Sequence, residues 1–393
     1  MAGDLLSERV RDALARLCAV AALGYAVRAT GMMRGWVAVP VAPPPADAPL
    51  LSVIVPARNE ERSIEHCVRS LLAQTAKVEV IVVDDRSTDR TGAILAELSR
   101  EHRTLRVVHG EPLPPGWVGK PWALAQGARL AAGEWLLFTD ADTWHAPQAC
   151  ASALAFALAR RIDALTLWTH QELGSWAERA VLPSVLGMVL LGSGTMEQVN
   201  DPADPEHALA NGQYILISRA AYDALGGHDT VRGEILDDVM FARRLKADGR
   251  FRILLADGQR IVRVRMYTSL SELWEGFTKN MYLGARGDVR VLAAAATFLA
   301  LLSVVPASIA ADSLVRRRPL RALEALLALA CGIGTAAYGL RRTGIPSRLA
   351  WYAPFGYAVC AAMMLNSTLR VVSGRGVQWR GRRYTGRVGG ERP

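Results

Sequence analysis

From residue 50 onward the chain alternates between two periods. LSVIVP (51–56) is a continuous apolar run of strand length. In SIEHCVRSLLAQ, which follows, Ile64, Cys67, Val68, Leu71 and Leu72 recur at helical spacing. VEVIVVDD (78–85) predicts a second strand, and TDRTGAILAELSR (88–100) a second helix capped by Thr or Asp. LRVVHG (105–110) predicts a third strand, KPWALAQGARLAAG (120–133) a third helix stopped by Gly133, and EWLLFTD (134–140) a fourth strand. Strands alternating with helices imply an α/β fold with a mostly parallel, right-handed sheet. Ahead of it VAVPVAPPPADAP (37–49) reads as an extended Pro-rich linker.

The pattern changes after residue 285. Val291–Ala311 and Leu349–Leu369 each run 21 residues without a charge, and Ala325–Leu340 adds 16 more. A helix needs about 20 apolar residues to cross a bilayer, so spans are expected near 291–311, 322–340 and 349–369. Leu17–Val27, bordered by Arg16 and Arg28, is too short for a confident span. A membrane-associated, uncleaved helix over 1–36 is expected there. The sequence divides accordingly into this helix, the linker 37–49, a catalytic domain 50–285, membrane helices 286–372 and a basic tail 373–393.

Charge follows the same division. The 393 residues carry +9, and residues 313–393 carry +12 of it, with 14 Arg and no Lys against Glu324 and Glu391. The preceding 312 residues are therefore slightly acidic. Arginines at 316–318, 341–342 and 380–383 border the apolar runs, where anionic lipid headgroups would meet them. This location argues against nucleic acid as the partner. Five scattered cysteines without CxxC spacing suggest neither a disulfide framework nor zinc, which fits a reducing cytosol. His145, His170, His207 and His228 lack metal-ligand spacing.

Ligands bind such sheets outside the carboxyl ends of the strands. PARNE (56–60), DDRSTD (84–89) and DAD (140–142) fall at three such ends. No GxGxxG follows the first strand and no Walker loop is present, which argues against hydride transfer and P-loop chemistry. Asp140 and Asp142 are either a polar turn or a pair held together by a cation. Mg²⁺ or Mn²⁺, bound by one or two carboxylates and substrate phosphates, suits the second reading.

LSVIVPARNEERSIEHCVRSLLAQ, VIVVDDRSTDRT, GKPWALAQGARLAAGEWLLFTDAD, NGQYILISRAAYDALGGHD and EILDDVMFARRLKADG resemble, in that order, family 2 inverting glycosyltransferases. The resemblance covers about residues 50–285 and implies a GT-A fold, a Rossmann-like nucleotide-diphospho-sugar transferase domain. It points to the membrane-bound branch with lipid acceptors, which includes ceramide glucosyltransferases and the hopanoid- and carotenoid-associated enzymes. WEGFTKN and VQWRGRRY are most similar to the hopanoid-associated group. The resemblance places Pro56, Ala57, Arg58, Glu60, Asp84, Asp85 and Lys120 around a UDP-sugar. It makes Asp140 a donor or metal contact, Asp142 a metal ligand and Asp238 the general base. Asp237 stands where the family has Glu, and is alternatively an N-cap.

Asn211, Gly212 and Gln213 are candidate acceptor contacts or a plain turn. Trp274 and Lys279 are candidates on the acceptor side, with membrane-interface packing the alternative for the tryptophan. The apolar stretch 180–196 is either an interfacial helix serving a lipid acceptor or core. Processive relatives carry Gln-x-x-Arg-Trp after the base. WEGFTKNMY has no Gln, with Lys279 and Asn280 in that region, which disfavours a polysaccharide synthase. A non-catalytic nucleotide-sugar-binding membrane protein is the other alternative. The expected protein is an integral membrane enzyme with a cytoplasmic catalytic domain. Three spans after that domain would put Arg316–Arg318 outside, against the positive-inside rule, unless one run is re-entrant or the middle one does not cross.

Overall fold

A computed structural model describes residues 2–285, 287–373, 377–379 and 382–384. The chain forms two compact units. One is α/β, from Gly35–Glu172 and Thr195–Met266. The other is helical, from Met1–Arg34, Leu173–Gly194 and Tyr267–Gly386.

Helix α1 (Ala2–Met32) opens the chain and belongs to the helical unit. The α/β unit then runs β1 (Leu51–Ala57), α2 (Ile64–Leu72), β2 (Val78–Asp84), α3 (Thr91–Glu101), β3 (Leu105–His109), α4 (Gly119–Leu130), β4 (Trp135–Phe138), β5 (Thr143–His145), α5 (Ala149–Arg160), β6 (Ala164–Trp168) and β7 (His170–Gln171). After α6 (Trp176–Ser193), which belongs to the helical unit, it resumes with α7 (Met196–Asn200), β8 (Ile215–Ser218), α8 (Arg219–Leu225), α9 (Asp237–Asp248), β9 (Ile253–Asp257) and β10 (Val262–Val264). Seven strands form one sheet in the order β3-β2-β1-β4-β8-β6-β9. Only β8 runs antiparallel to its neighbours. A small sheet of order β5-β10-β7 flanks it.

Helices cover both faces of the large sheet, so its central strands are apolar on both sides rather than alternating. Val53 and Val55 of β1 join Cys67, Leu71, Leu95 and Leu154 in one core; Ile54 joins Leu136, Ile217, Phe241 and Leu245 in the other.

Three local expectations are corrected. Helix α3 starts with Arg90 in the N-cap position, and Asp89 one residue earlier accepts the Thr91 N–H at 3.0 Å. Helix α4 ends before Ala131 rather than at Gly133. Gly133 is instead required by close approach, since a Cβ there would lie 2.7 Å from the Leu50 carbonyl oxygen. The 37–49 stretch is extended but not a free linker. Val39 donates to the Asp257 carbonyl at 2.9 Å, and Asp257 donates back to Val37 at 2.7 Å.

The helical unit also contains α10 (Leu270–Gly284), α11 (Val289–Leu301), α12 (Val304–Val315), α13 (Pro319–Arg342) and α14 (Ala353–Val372). The 291–311 run is two helices, broken at Leu302 and Ser303, with the Ser303 hydroxyl turned back onto the Leu299 carbonyl at 2.6 Å. Helix α6, which covers most of the ambiguous 180–196 stretch, starts with a Ser175/Glu178 capping box. It packs on α14: a Cβ on Gly356 would lie 2.7 Å from the Ala180 carbonyl oxygen. Among the described residues three helical segments, Glu8–Met32, Val289–Val315 and Pro319–Arg342, are long and apolar enough to cross a membrane. Most of the 373–393 tail lies outside the described residues.

Candidate active site

The parallel register brings the carboxyl ends of β1 and β2 level, with Ala57 opposite Asp84. The two loops that follow are tied into one surface. Arg58 Nη1 donates to the Asp85 carbonyl at 2.7 Å, Asn59 N to Ser87 Oγ at 3.0 Å, and Glu60 N to Thr91 Oγ1 at 2.8 Å. Asn59 and Arg86 adopt positive φ (55° and 59°), a conformation uncommon outside glycine. Such strain is retained where surrounding contacts enforce it, as in binding loops. Pro56 and Ala57 close β1 beneath this surface. Asp85 is buried, and its N–H donates to the Ala57 carbonyl at 2.7 Å. Asp84 turns one carboxylate oxygen to the Ser87 N–H at 2.9 Å, so part of its capacity organises the loop itself.

Beside these loops, β4 ends at Phe138 and the DAD turn follows. Lys120, in the first turn of α4, contacts Asp140 Oδ1 through Nζ at 2.6 Å. Burial works against the Lys120 ammonium, but Asp140, Asp237 and Asp238 outweigh it and raise its pKa. Lys120 therefore stays charged. Thr143 Oγ1 closes the turn by donating to the Asp140 carbonyl at 2.7 Å, and the Asp142 carbonyl accepts from Arg265 N at 3.3 Å.

The third component is the start of α9. Asp238 Oδ2 accepts the Gly212 N–H at 2.8 Å, and its Oδ1 accepts the Val239 N–H at 2.8 Å. Asp237 does not cap the helix: Leu236 holds the N-cap position and Asp237 is the first helical residue, buried. Burial raises the Asp237 pKa to about 7; Lys120 opposes this, while Asp238 and Asp140 add to it. A Cβ on Gly212 would lie 2.8 Å from Lys120 Nζ and 3.1 Å from Asp238 Oδ2. One glycine thus separates the α4 lysine that pairs with the DAD turn from the carboxylate of α9.

The structure brings Lys120, Asp140, Gly212, Asp237 and Asp238 into one cluster. It places Asn211 and Gln213 in a polar network with Thr169, through their side chains, and Thr139, through the Gln213 carbonyl, two threonines the sequence reading missed. Their only signal was a hydroxyl among apolar strand residues. Trp274 and Lys279 lie on α10, in the helical unit, and the Lys279 side chain is outside the described residues. Among the described residues no group of three or more His, Cys, Asp or Glu could cage a metal. Asp140 and Asp142 offer hard oxygen donors from two side chains. That set fits Mg²⁺ or Mn²⁺ completed by a diphosphate, rather than an all-protein site.

Residues 52–202, which carry the strand-end motifs of β1, β2 and β4, match the family described as Glycosyl transferase family 2. Over those residues the chain is similar to family 2 glycosyltransferases. The 4,4'-diaponeurosporenoate glycosyltransferases of Staphylococcus aureus strains MRSA252 and USA300 are each 28% identical to it over 240 residues, 60% of this chain. The chain spans 62% of the length of these relatives. Among solved structures, the mannosyltransferase PcManGT from Pyrobaculum calidifontis, in complex with GDP-Man and Mn²⁺, superposes with a TM-score of 0.52 at 20% identity. The match covers 92% of this chain and 98% of that one, and shows the GT-A fold.

Proposed function

We propose that the chain is a membrane-bound inverting glycosyltransferase that moves a sugar from a UDP-sugar to a lipid hydroxyl. The observation that carries the reading is the cluster around Gly212, where the Asp238 carboxylate and the Lys120–Asp140 pair meet at the carboxyl edge of the sheet. Arg58, Glu60 and Asp85, with the Pro56–Ala57 backbone and the loop that Asp84 organises, hold the nucleoside. Lys120 meets the diphosphate with a fixed positive charge. Asp238 accepts the acceptor hydroxyl proton as its oxygen attacks the anomeric carbon. The bond from that carbon to the diphosphate oxygen breaks, and UDP leaves with the bonding electrons. Attack from the face opposite the leaving group inverts the anomeric centre. Asp140 and Asp142 would hold a Mg²⁺ or Mn²⁺, which when bound neutralises charge on the diphosphate.

The acceptor class follows from two supports. Three helical segments suit a bilayer, which is where a lipid acceptor resides. The Staphylococcus relatives are named for a carotenoid-type acceptor, which favours that class over hopanoids and ceramides. The α/β unit faces the cytoplasm in this reading, consistent with five free cysteines.

The test is transfer of label from a panel of UDP-sugars into organic-extractable lipid, with Mn²⁺ or EDTA, by wild type and Asp238→Asn. Metal-dependent label in the lipid phase, reduced about 10²–10⁴-fold in the variant, is expected. Equal transfer by both proteins would refute the assignment of the base. Label in a polymer would establish the synthase reading instead.

A further inference from the structure

We infer that Thr139, Thr169, Asn211 and Gln213 form a buried framework that positions Asp238, so that they are positioning residues and not acceptor contacts. The inference rests on reading Asp238 as the base. Its physical content is a loop pinned on both flanks with the base attached to its middle.

Gln213 is pinned at two places. Its backbone carbonyl accepts the Thr139 hydroxyl at 2.7 Å. Its side-chain oxygen accepts the Thr169 hydroxyl and, at 3.0 Å, Asn211 Nδ2. Asn211 is pinned as firmly: its Nδ2 also donates to the Leu167 carbonyl at 2.9 Å, and its N–H to Thr166 Oγ1 at 2.9 Å. Gln171 Nε2 closes the far side on Thr169 Oγ1 at 3.0 Å. Thr139 and Thr169 are each 1% exposed and Gln213 6%.

Gly212 lies between the pinned residues and donates its N–H to Asp238 Oδ2. Because even a methyl group at 212 would crowd Lys120 and Asp238, the backbone itself is the contact surface. Loops are ordinarily the mobile part of a fold. Here Thr166 and Leu167 of β6, with Thr139 just after β4 and Thr169 just after β6, hold the loop by side-chain and backbone groups away from water, where a bond lost leaves a buried partner unsatisfied. Thr139 also immediately precedes Asp140, so the same framework fixes the base and the DAD turn relative to each other.

Thr169→Val tests this, since it keeps the shape of the side chain and removes the hydroxyl that meets Gln213, Gln171 and Asn211. The full chain in detergent is assayed with the active UDP-sugar of the panel, and hydrogen–deuterium exchange is followed at residues 211–213 and 238–239. The expected result is a kcat lowered about 10–100-fold with donor KM little changed, faster exchange at both segments, and recovery of both in Thr169→Ser. Unchanged kcat with unchanged exchange would overturn the inference. So would a raised acceptor KM at unchanged kcat, which would make the network an acceptor contact. If wild type transfers no sugar, the functional reading fails separately and exchange alone decides: faster exchange in the Val variant alone sustains the framework, and equal exchange refutes it. Should Thr169→Val not fold, Thr139→Val with Thr139→Ser gives the same two readouts.

Discussion

At the scale of single residues, burial sets the titration behaviour around the site. Burial lowers the pKa of His145 to about 3; for His228 burial does the same, assisted by the Lys120 charge. Both are neutral in the fold, whereas the unfolded chain takes up their protons near pH 6.5. Because the folded values are depressed, the stability they confer is complete above pH 6.5 and is lost as pH falls toward 3. His228 also bonds the Tyr222 hydroxyl through Nδ1 at 2.9 Å, a contact a glutamine amide can replace. The unfolding free energy of His228→Gln should therefore fall less steeply than that of wild type between pH 6.5 and 4, by up to ~1.4 kcal/mol per pH unit. Denaturant titrations at several pH values check this, and parallel curves would refute it. PARNE, DDRSTD and DAD were legible at this scale, because strand ends, carboxylates and a parallel sheet suffice to bring them together. The Thr139–Thr169–Gln213 framework was not, because its members are far apart in sequence and have no shared period.

At the scale of elements, close packing decides where helices can sit. Helix α4 lies against β1 and β2 with Gly127 at the contact, where a Cβ would come within 2.4 Å of Ile54 Cγ2. Gly127→Ala should lower the unfolding free energy by about 1–3 kcal/mol through overpacking, measured by denaturant unfolding of the full chain. Since α4 carries Lys120, the same variant should also weaken UDP binding. Lys246 shows a different device. It is buried on α9 and donates to the Val199 carbonyl at 2.7 Å and the Asp204 carbonyl at 3.0 Å, so that α9 closes the end of α7. Lys246→Met should cost ~1–3 kcal/mol by leaving those carbonyls unmet. The existence of α2, α3 and α4 followed from the sequence pattern. The caps did not, because Arg90 and Leu236 hold N-cap positions with no side-chain cap bond, and neighbouring carboxylates or burial supply what the cap residue would have given.

At the scale of the whole molecule, ion pairs fix the direction of the helices in the helical unit. Arg321 on α13, 7% exposed, pairs with Glu8 at 2.7 Å and Asp12 at 2.6 Å on α1. Further along, Cys331 contacts the Ala22 carbonyl, so α1 and α13 run parallel. Helix α12 runs the other way: its Asp312 meets Arg11, and Phe298 on α11 meets Tyr25. The start of α1 therefore shares one end of the bundle with the α12–α13 turn. The arginines of that turn face protein carboxylates as well as any lipid: Arg316 pairs with Asp312, and Arg318 approaches Glu8 at 3.7 Å. If α13 crosses the bilayer, Arg317→Cys and Arg348→Cys should react with a membrane-impermeant maleimide from opposite faces. Reaction of both from one face would remove α13 from the spans.

By itself the sequence determined the alternation of strands and helices, the polar strand ends, the apolar runs and the location of the positive charge. Each of these is a local property, set by side-chain period or by composition. The tertiary structure alone decided that α6 leaves the α/β unit for the helical one, and that Asp237 is buried beside the lysine of a distant helix. It alone also decided that the charge of the α12–α13 turn is met by α1. These depend on which residues meet across hundreds of positions, and neither period nor composition encodes that.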